Sequence, residues 1–122
     1  MRMPADLGRL REARQWAGDI ATELGFSDDD CFAVRLAVSE GVANAIIHGS
    51  GSRCDCIRLD ALHEDGALAI EVRDRGTKAS ASSVDRVAEG GRGLDLVALM
   101  MDEMQLTRTD AGSVLRFVKR QG

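Results

Sequence analysis

Tyrosine is absent from this chain, and the aromatic residues are only Trp16, Phe26, Phe32 and Phe117. Sequence-tolerant binding of single-stranded nucleic acid relies on rings against which bases stack, so no such platform is expected. Clustered basic residues are missing as well. Lysine and arginine total 16 against 20 acidic residues, for a formal net charge of -4, and the basic residues are mostly scattered arginines. Phosphate backbones are held by clusters of Lys and Arg, so nucleic acid is not expected as a direct partner. No stretch approaches the roughly 18 apolar residues of a membrane span, and no membrane association is expected. Met1-Arg-Met-Pro-Ala-Asp6 leads into a polar amphipathic segment without the apolar core of a signal peptide; the expected location is the cytoplasm. Cys31, Cys54 and Cys56 leave one thiol unpaired in any disulfide scheme. The short Cys54-Asp-Cys56 spacing would put two thiols on one face of a strand, and reduced core cysteines are the preferred reading over a metal or redox pair.

What is present suits one domain. A chain of 122 residues, 44% hydrophobic and 30% charged, can bury roughly two thirds of its unfolded surface without a disulfide or metal. Leu7, Leu10, Ala13, Ala17, Ile20, Ala21 and Leu24 recur at helical spacing before Gly25, which predicts a first helix of about twenty residues with a glycine C-cap. Ser27 offers an N-cap, and Asp28 to Asp30 load the first turn of a second helix that is expected to run to about His48. Two alternating stretches, about 54–62 and 67–73, flank the turn-forming His63-Glu-Asp-Gly66 and predict a hairpin. Small and polar residues from Thr77 to Gly91 predict a mobile loop, a common place for a functional lid. Gly93 opens a third helix, and strands at about 104–109 and 113–119 close the chain around Asp110-Ala-Gly112. No repeat or linker divides 1–122. This order predicts an α+β fold, a two-layer sandwich with a largely antiparallel sheet and helices on one face.

Within the second helix, Glu40, Asn44 and His48 stand four residues apart. Each step of four advances about 40°, so the three share one face of a helix whose other positions, Val38, Val42, Ala43, Ala45, Ile46 and Ile47, read as core. Two further polar islands sit at element ends: Asp74 and Gly76 after a strand, and Gly90-Gly-Arg-Gly93 at a helix start. Each has a use for a nucleotide. A glycine-rich helix N-terminus presents free N–H groups and a positive dipole end to phosphate, and an Asn oxygen suits a Mg²⁺ that completes its shell with waters and phosphates. A carboxylate one turn away can take a proton from an attacking hydroxyl. Asp74 could accept from an exocyclic amine, with Gly76 admitting a flat base against the backbone. Singly, each has a plainer explanation: a loop, a turn, a partly exposed helix residue, a capping histidine. Together they point to one site.

The order and spacing of these islands resemble the Bergerat-fold (GHKL) ATP-binding superfamily, which includes gyrase, histidine kinases and mismatch-repair ATPases. Ala37-Val-Ser-Glu40-Gly-Val-Ala-Asn44-Ala-Ile-Ile-His48-Gly is similar to its N box, Val72-Arg-Asp74-Arg-Gly76 to its first glycine box, and Glu89-Gly-Gly-Arg-Gly93-Leu94-Asp-Leu-Val97 to its second. Ser39 before Glu40, the terminal His48 and the short lid most resemble the anti-sigma factor serine kinases of bacterial partner switching. The resemblance implies ATP and Mg²⁺ as cofactors. It implies Glu40 as the general base, Asn44 as the Mg²⁺ ligand and Asp74 as the acceptor of the adenine amino group, with Gly76 against the base. It also implies Gly91, Arg92, Gly93 and Leu94 as phosphate contacts and Ser113 as a hydroxyl beside Asp74, where the family commonly has Thr. His48 is then a support within the N box.

The implied activity is an ATP-dependent serine protein kinase that binds a sigma factor or similar regulator and phosphorylates a small STAS-type antagonist. Two features depart from the family pattern. Lys78 stands at the second glycine of the first glycine box, and little precedes the first helix, where relatives often carry a strand that helps them dimerise. A homodimer is therefore left open. The alternative from another class is a non-catalytic module of the same fold, in which nucleotide orders the lid and gates protein binding.

Overall fold

The computed structural model describes residues 1–49, 56–74, 92–109 and 112–121. Along the chain run β1 (Arg2–Pro4), a 3₁₀ turn (Leu7–Arg9), α1 (Leu10–Glu23), α2 (Asp28–Asn44) and a π-helical turn (Ala45–Gly49). They are followed by β2 (Cys56–Glu64), β3 (Ala67–Asp74), α3 (Arg92–Met100), β4 (Glu103–Thr109) and β5 (Gly112–Arg120). The strands form one sheet in the order β1-β2-β3-β5-β4, and every neighbouring pair is antiparallel. The expected α+β architecture is borne out.

Local chemistry explains the boundaries. Ser27 accepts a hydrogen bond from the Asp30 N–H at 3.1 Å and so satisfies one of the free donors at the start of α2. At the end of α1, Gly25 takes a left-handed φ of 86°, its N–H donates to Thr22, and the Phe26 N–H donates to Ala21. That pair of bonds reverses the chain with little loss of backbone satisfaction. Asp65 and Gly66 both have positive φ, 53° and 76°, the two-residue turn whose twist matches a hairpin.

The helices cover one face of the sheet. Leu68, Ile70 and Val72 of β3 and Leu115 and Phe117 of β5 share a core with Val34, Val38 and Val42 of α2. The next residues along the strands point the other way, where Arg58, Asp60, Glu71, Arg73 and Arg116 form exposed ion pairs. Such pairs contribute about 0–1 kcal/mol each; they keep that face wet rather than holding the fold together.

The structure corrects several expectations. The first helix starts at Leu10 rather than Leu7, because the Asp6 carboxylate accepts from the Gly8 N–H and closes a 3₁₀ turn first. α2 ends at Asn44, and His48 lies in the π-helical turn that follows. A strand does precede the first helix: β1 pairs with β2, Met3 opposite Ile57, and Met3 is buried in the core. Three residues are too few to show strand alternation. Cys31 and Cys56 are both free thiols, Cys31 buried as expected but Cys56 exposed; Cys54 lies outside the described residues.

Candidate functional site

Glu40 and Asn44 occupy the last two turns of α2, one helical turn apart, and both are partly exposed. The helix is less enclosed than its sequence suggests, since Ala43 and Ile46 are half-buried and Ile47 is 53% exposed. Its polar stripe is thus partly exposed to solvent rather than enclosed in the core. What sets the facing of this part of the helix is Gly41. A Cβ built there would meet Leu115 Cδ2 at 3.0 Å, with Phe117 and Val72 just behind. The missing side chain lets α2 settle onto β3 and β5 with Gly41 toward the sheet, and Glu40, one residue away, is turned aside toward solvent. Sequence inspection passed over this residue, although a glycine inside a helix costs about 1 kcal/mol relative to alanine and is itself a signal of close approach.

Beyond Asn44 the chain widens into its π-helical turn, an irregularity often associated with functional sites, and this turn packs against β3. The contact brings the C-terminal end of α2 to the strand that ends in Asp74.

Asp74 and Ser113 are direct partners across β3 and β5, and the Ser113 hydroxyl donates to Asp74 Oδ2 at 2.7 Å. Ser113 is the one buried polar residue among the described residues. The other carboxylate oxygen, Asp74 Oδ1, is buried and has no hydrogen-bond partner among the described residues. A buried polar atom left without a donor costs about 1–3 kcal/mol. Here the hydroxyl fixes the carboxylate while one oxygen stays free to accept from something else. Any hydrogen-bond donor that reached it would satisfy that oxygen.

Arg92, Gly93 and Leu94 are the first three residues of α3. Helix N-termini leave N–H groups free and carry the positive end of the dipole, whereas the C-terminal end of α2 carries the negative end. An anion at the first and a cation at the second are both favoured. α2 and α3 pack side by side, so the two ends belong to one electrostatic arrangement. Gly76, Lys78, Gly91 and the loop expected over 77–91 lie outside the described residues. The structure packs the turn after Asn44 against β3, the strand that ends in Asp74, and it puts Arg92, Gly93 and Leu94 at a helix start.

A family model described as a histidine kinase-like ATPase domain matches residues 3–119. The chain is 28% identical over 138 residues to the serine-protein kinase RsbW of Bacillus licheniformis, covering 99% of this chain and 86% of that protein. It is 28% identical over 124 residues to the anti-sigma F factor of Priestia megaterium, covering 88% and 81%. It also resembles the solved structure of the RsbU and RsbW domains of a Mycobacterium tuberculosis protein, with a TM-score of 0.73 at 21% identity over 98% of this chain. The chain spans 32% of that longer one, and the likeness establishes the fold.

Proposed function

The chain belongs to the histidine kinase-like ATPase domain family, and from that premise we propose that it is an ATP-dependent serine protein kinase and anti-sigma factor. Its substrate is a serine of a small antagonist protein, of STAS type, and its other partner is a sigma factor or similar regulator. The observation that supports this is the Asp74–Ser113 pair, with one buried oxygen that has no partner among the described residues, at the end of a strand against which the turn after Asn44 packs. The relatives named as a serine-protein kinase and an anti-sigma factor support kinase activity over a purely binding module.

In this proposal Asp74 Oδ1 accepts from the adenine amino group, and the free oxygen the structure leaves there fits that role. Gly76 lies against the base, and the N–H groups of Gly91, Arg92, Gly93 and Leu94 hold the phosphates. Asn44, a hard oxygen donor beside the negative end of a helix, fits a Mg²⁺ site shared with phosphate oxygens. When bound, the ion would neutralise charge developing on the phosphates. Glu40 accepts the proton of the substrate serine as its oxygen bonds to the γ-phosphorus and the bond to the ADP oxygen breaks. Partial exposure suits Glu40 to this, because a protein substrate must reach it.

No helix among the described residues is long and apolar enough to cross a membrane, and a cytoplasmic location is part of the proposal. A homodimer also remains part of it, since the chain does carry a short edge strand, β1; light scattering would test it. The kinase is tested with labelled ATP, Mg²⁺ and a candidate antagonist. Label on antagonist serine is the expected result. Nucleotide binding without transfer would instead favour the nucleotide-gated module.

A further inference from the structure

Three consecutive residues of β5 fasten the last residue of α3 and the segment that leaves it. The Val118 carbonyl accepts from the Asp102 N–H at 2.9 Å, Lys119 Nζ donates to the Met100 carbonyl at 2.9 Å, and the Arg120 N–H donates to the Asp102 carboxylate at 2.6 Å. Lys119 Nζ also lies 3.7 Å from Asp30 Oδ1, and the two side chains are only 18% and 26% exposed. Asp30 belongs to the first turn of α2, and Met100 is the last residue of α3. One ammonium group therefore joins the C-terminal end of α3 to the N-terminal end of α2. Its charge opposes the negative end of one helix dipole, while the carboxylate it faces opposes the positive end of the other.

α2 and α3 pack on each other with these ends together, so they run antiparallel. The start of α3 then points toward the half of α2 that carries Glu40 and Asn44. Nine residues rise only about 13 Å, so a tilt allowed at Met100 would move the whole helix, its first turn included.

We propose that Lys119 is a positioning residue for phosphoryl transfer: by holding Met100 and Asp30 it fixes the start of α3 against α2, and hence the phosphates against Asn44 and Glu40. The proposal rests on the reading that the start of α3 contacts phosphate. It separates two parts of nucleotide binding, since the adenine end depends on Asp74 and Ser113 between β3 and β5, and the phosphate end on α3.

The test compares the native chain with Lys119→Met and Lys119→Arg, titrating each with adenosine and with ATP plus Mg²⁺ and measuring KM for ATP and kcat. With Lys119→Met, ATP affinity should fall about threefold to tenfold, the scale of an ordinary net hydrogen bond because the effect reaches the phosphates indirectly, with a matching rise in KM. Adenosine affinity should not change, and Lys119→Arg should restore most of the loss. Equal losses for adenosine and ATP would show a merely structural role and overturn the proposal, as would no loss for either. Should Lys119→Met fail to fold, Asp30→Asn must show a smaller loss confined to ATP, and its absence is likewise fatal. A native chain that binds adenosine but gains nothing from the phosphates removes the premise, and the proposal with it. That outcome is distinguishable from failure of the clasp alone.

Discussion

The two ends of α2 treat their polar groups in opposite ways. At the N-terminal end Ser27 caps the helix, Asp30 faces Lys119, and the neighbouring α3 carbonyl and the Asp102 carboxylate both have donors from β5. At the other end Glu40 and Asn44 are partly exposed, and the turn that follows packs against β3, whose last residue, Asp74, has one buried oxygen without a partner among the described residues. A buried acceptor without a donor is expensive and rare, so a donor supplied to Asp74 Oδ1 would stabilise this end. The paired end ties the two helices together; the other end carries the groups to which the proposal assigns the nucleotide.

Replacing Glu40 should give the largest effect. Glu40→Ala should lower phosphoryl transfer about 10²- to 10⁴-fold, the range for loss of a general base, while ATP binding persists. A labelled-phosphate assay beside a binding titration reads both, and native-rate transfer would remove Glu40 from the mechanism. Asp74→Asn comes next. It should weaken ATP binding about tenfold to a hundredfold through loss of a charged acceptor, yet the unliganded protein should melt no lower than native, because the amide oxygen can still accept from Ser113 while a partly buried charge is removed. If instead the melting temperature falls sharply, Asp74 is a structural residue and the contrast between the two ends is lost.

Gly41 separates packing from chemistry on the same helix. Gly41→Val should destabilise by about 1–3 kcal/mol through overpacking, with chemical denaturation as the measurement. Gly41→Ala should be close to neutral, because its Cβ would be tight only against the tip of Leu115, with Phe117 and Val72 at ordinary contact distance, and the gain in helix propensity, about 1 kcal/mol, offsets the squeeze. A large loss from alanine would mean that α2 has no room to adjust.

Much of this was legible from local pattern. Helical spacing and the Ser27 cap placed α1 and α2, the Asp65-Gly66 turn placed the hairpin, and three ordered motifs joined Glu40, Asn44, Asp74 and the start of α3 into one family. Ser113 was chosen by resemblance alone, and the structure gives it a reason in its bond to Asp74. What stayed hidden depends on contacts between distant parts of the chain. β1 is too short to show a period and exists because Met3 is buried beside β2. Gly41 matters because Leu115 lies beneath it, and Lys119 because Asp30 and Met100 converge on it. None of those pairings has a sequence period.

The central claim is that the open end of α2 and the Asp74–Ser113 pair form one nucleotide site. A calorimetric titration of the native chain with ATP, in the presence and absence of Mg²⁺, tests it most directly. Saturable binding at one site per chain, strengthened by Mg²⁺, is the predicted result; no detectable binding under either condition would contradict it.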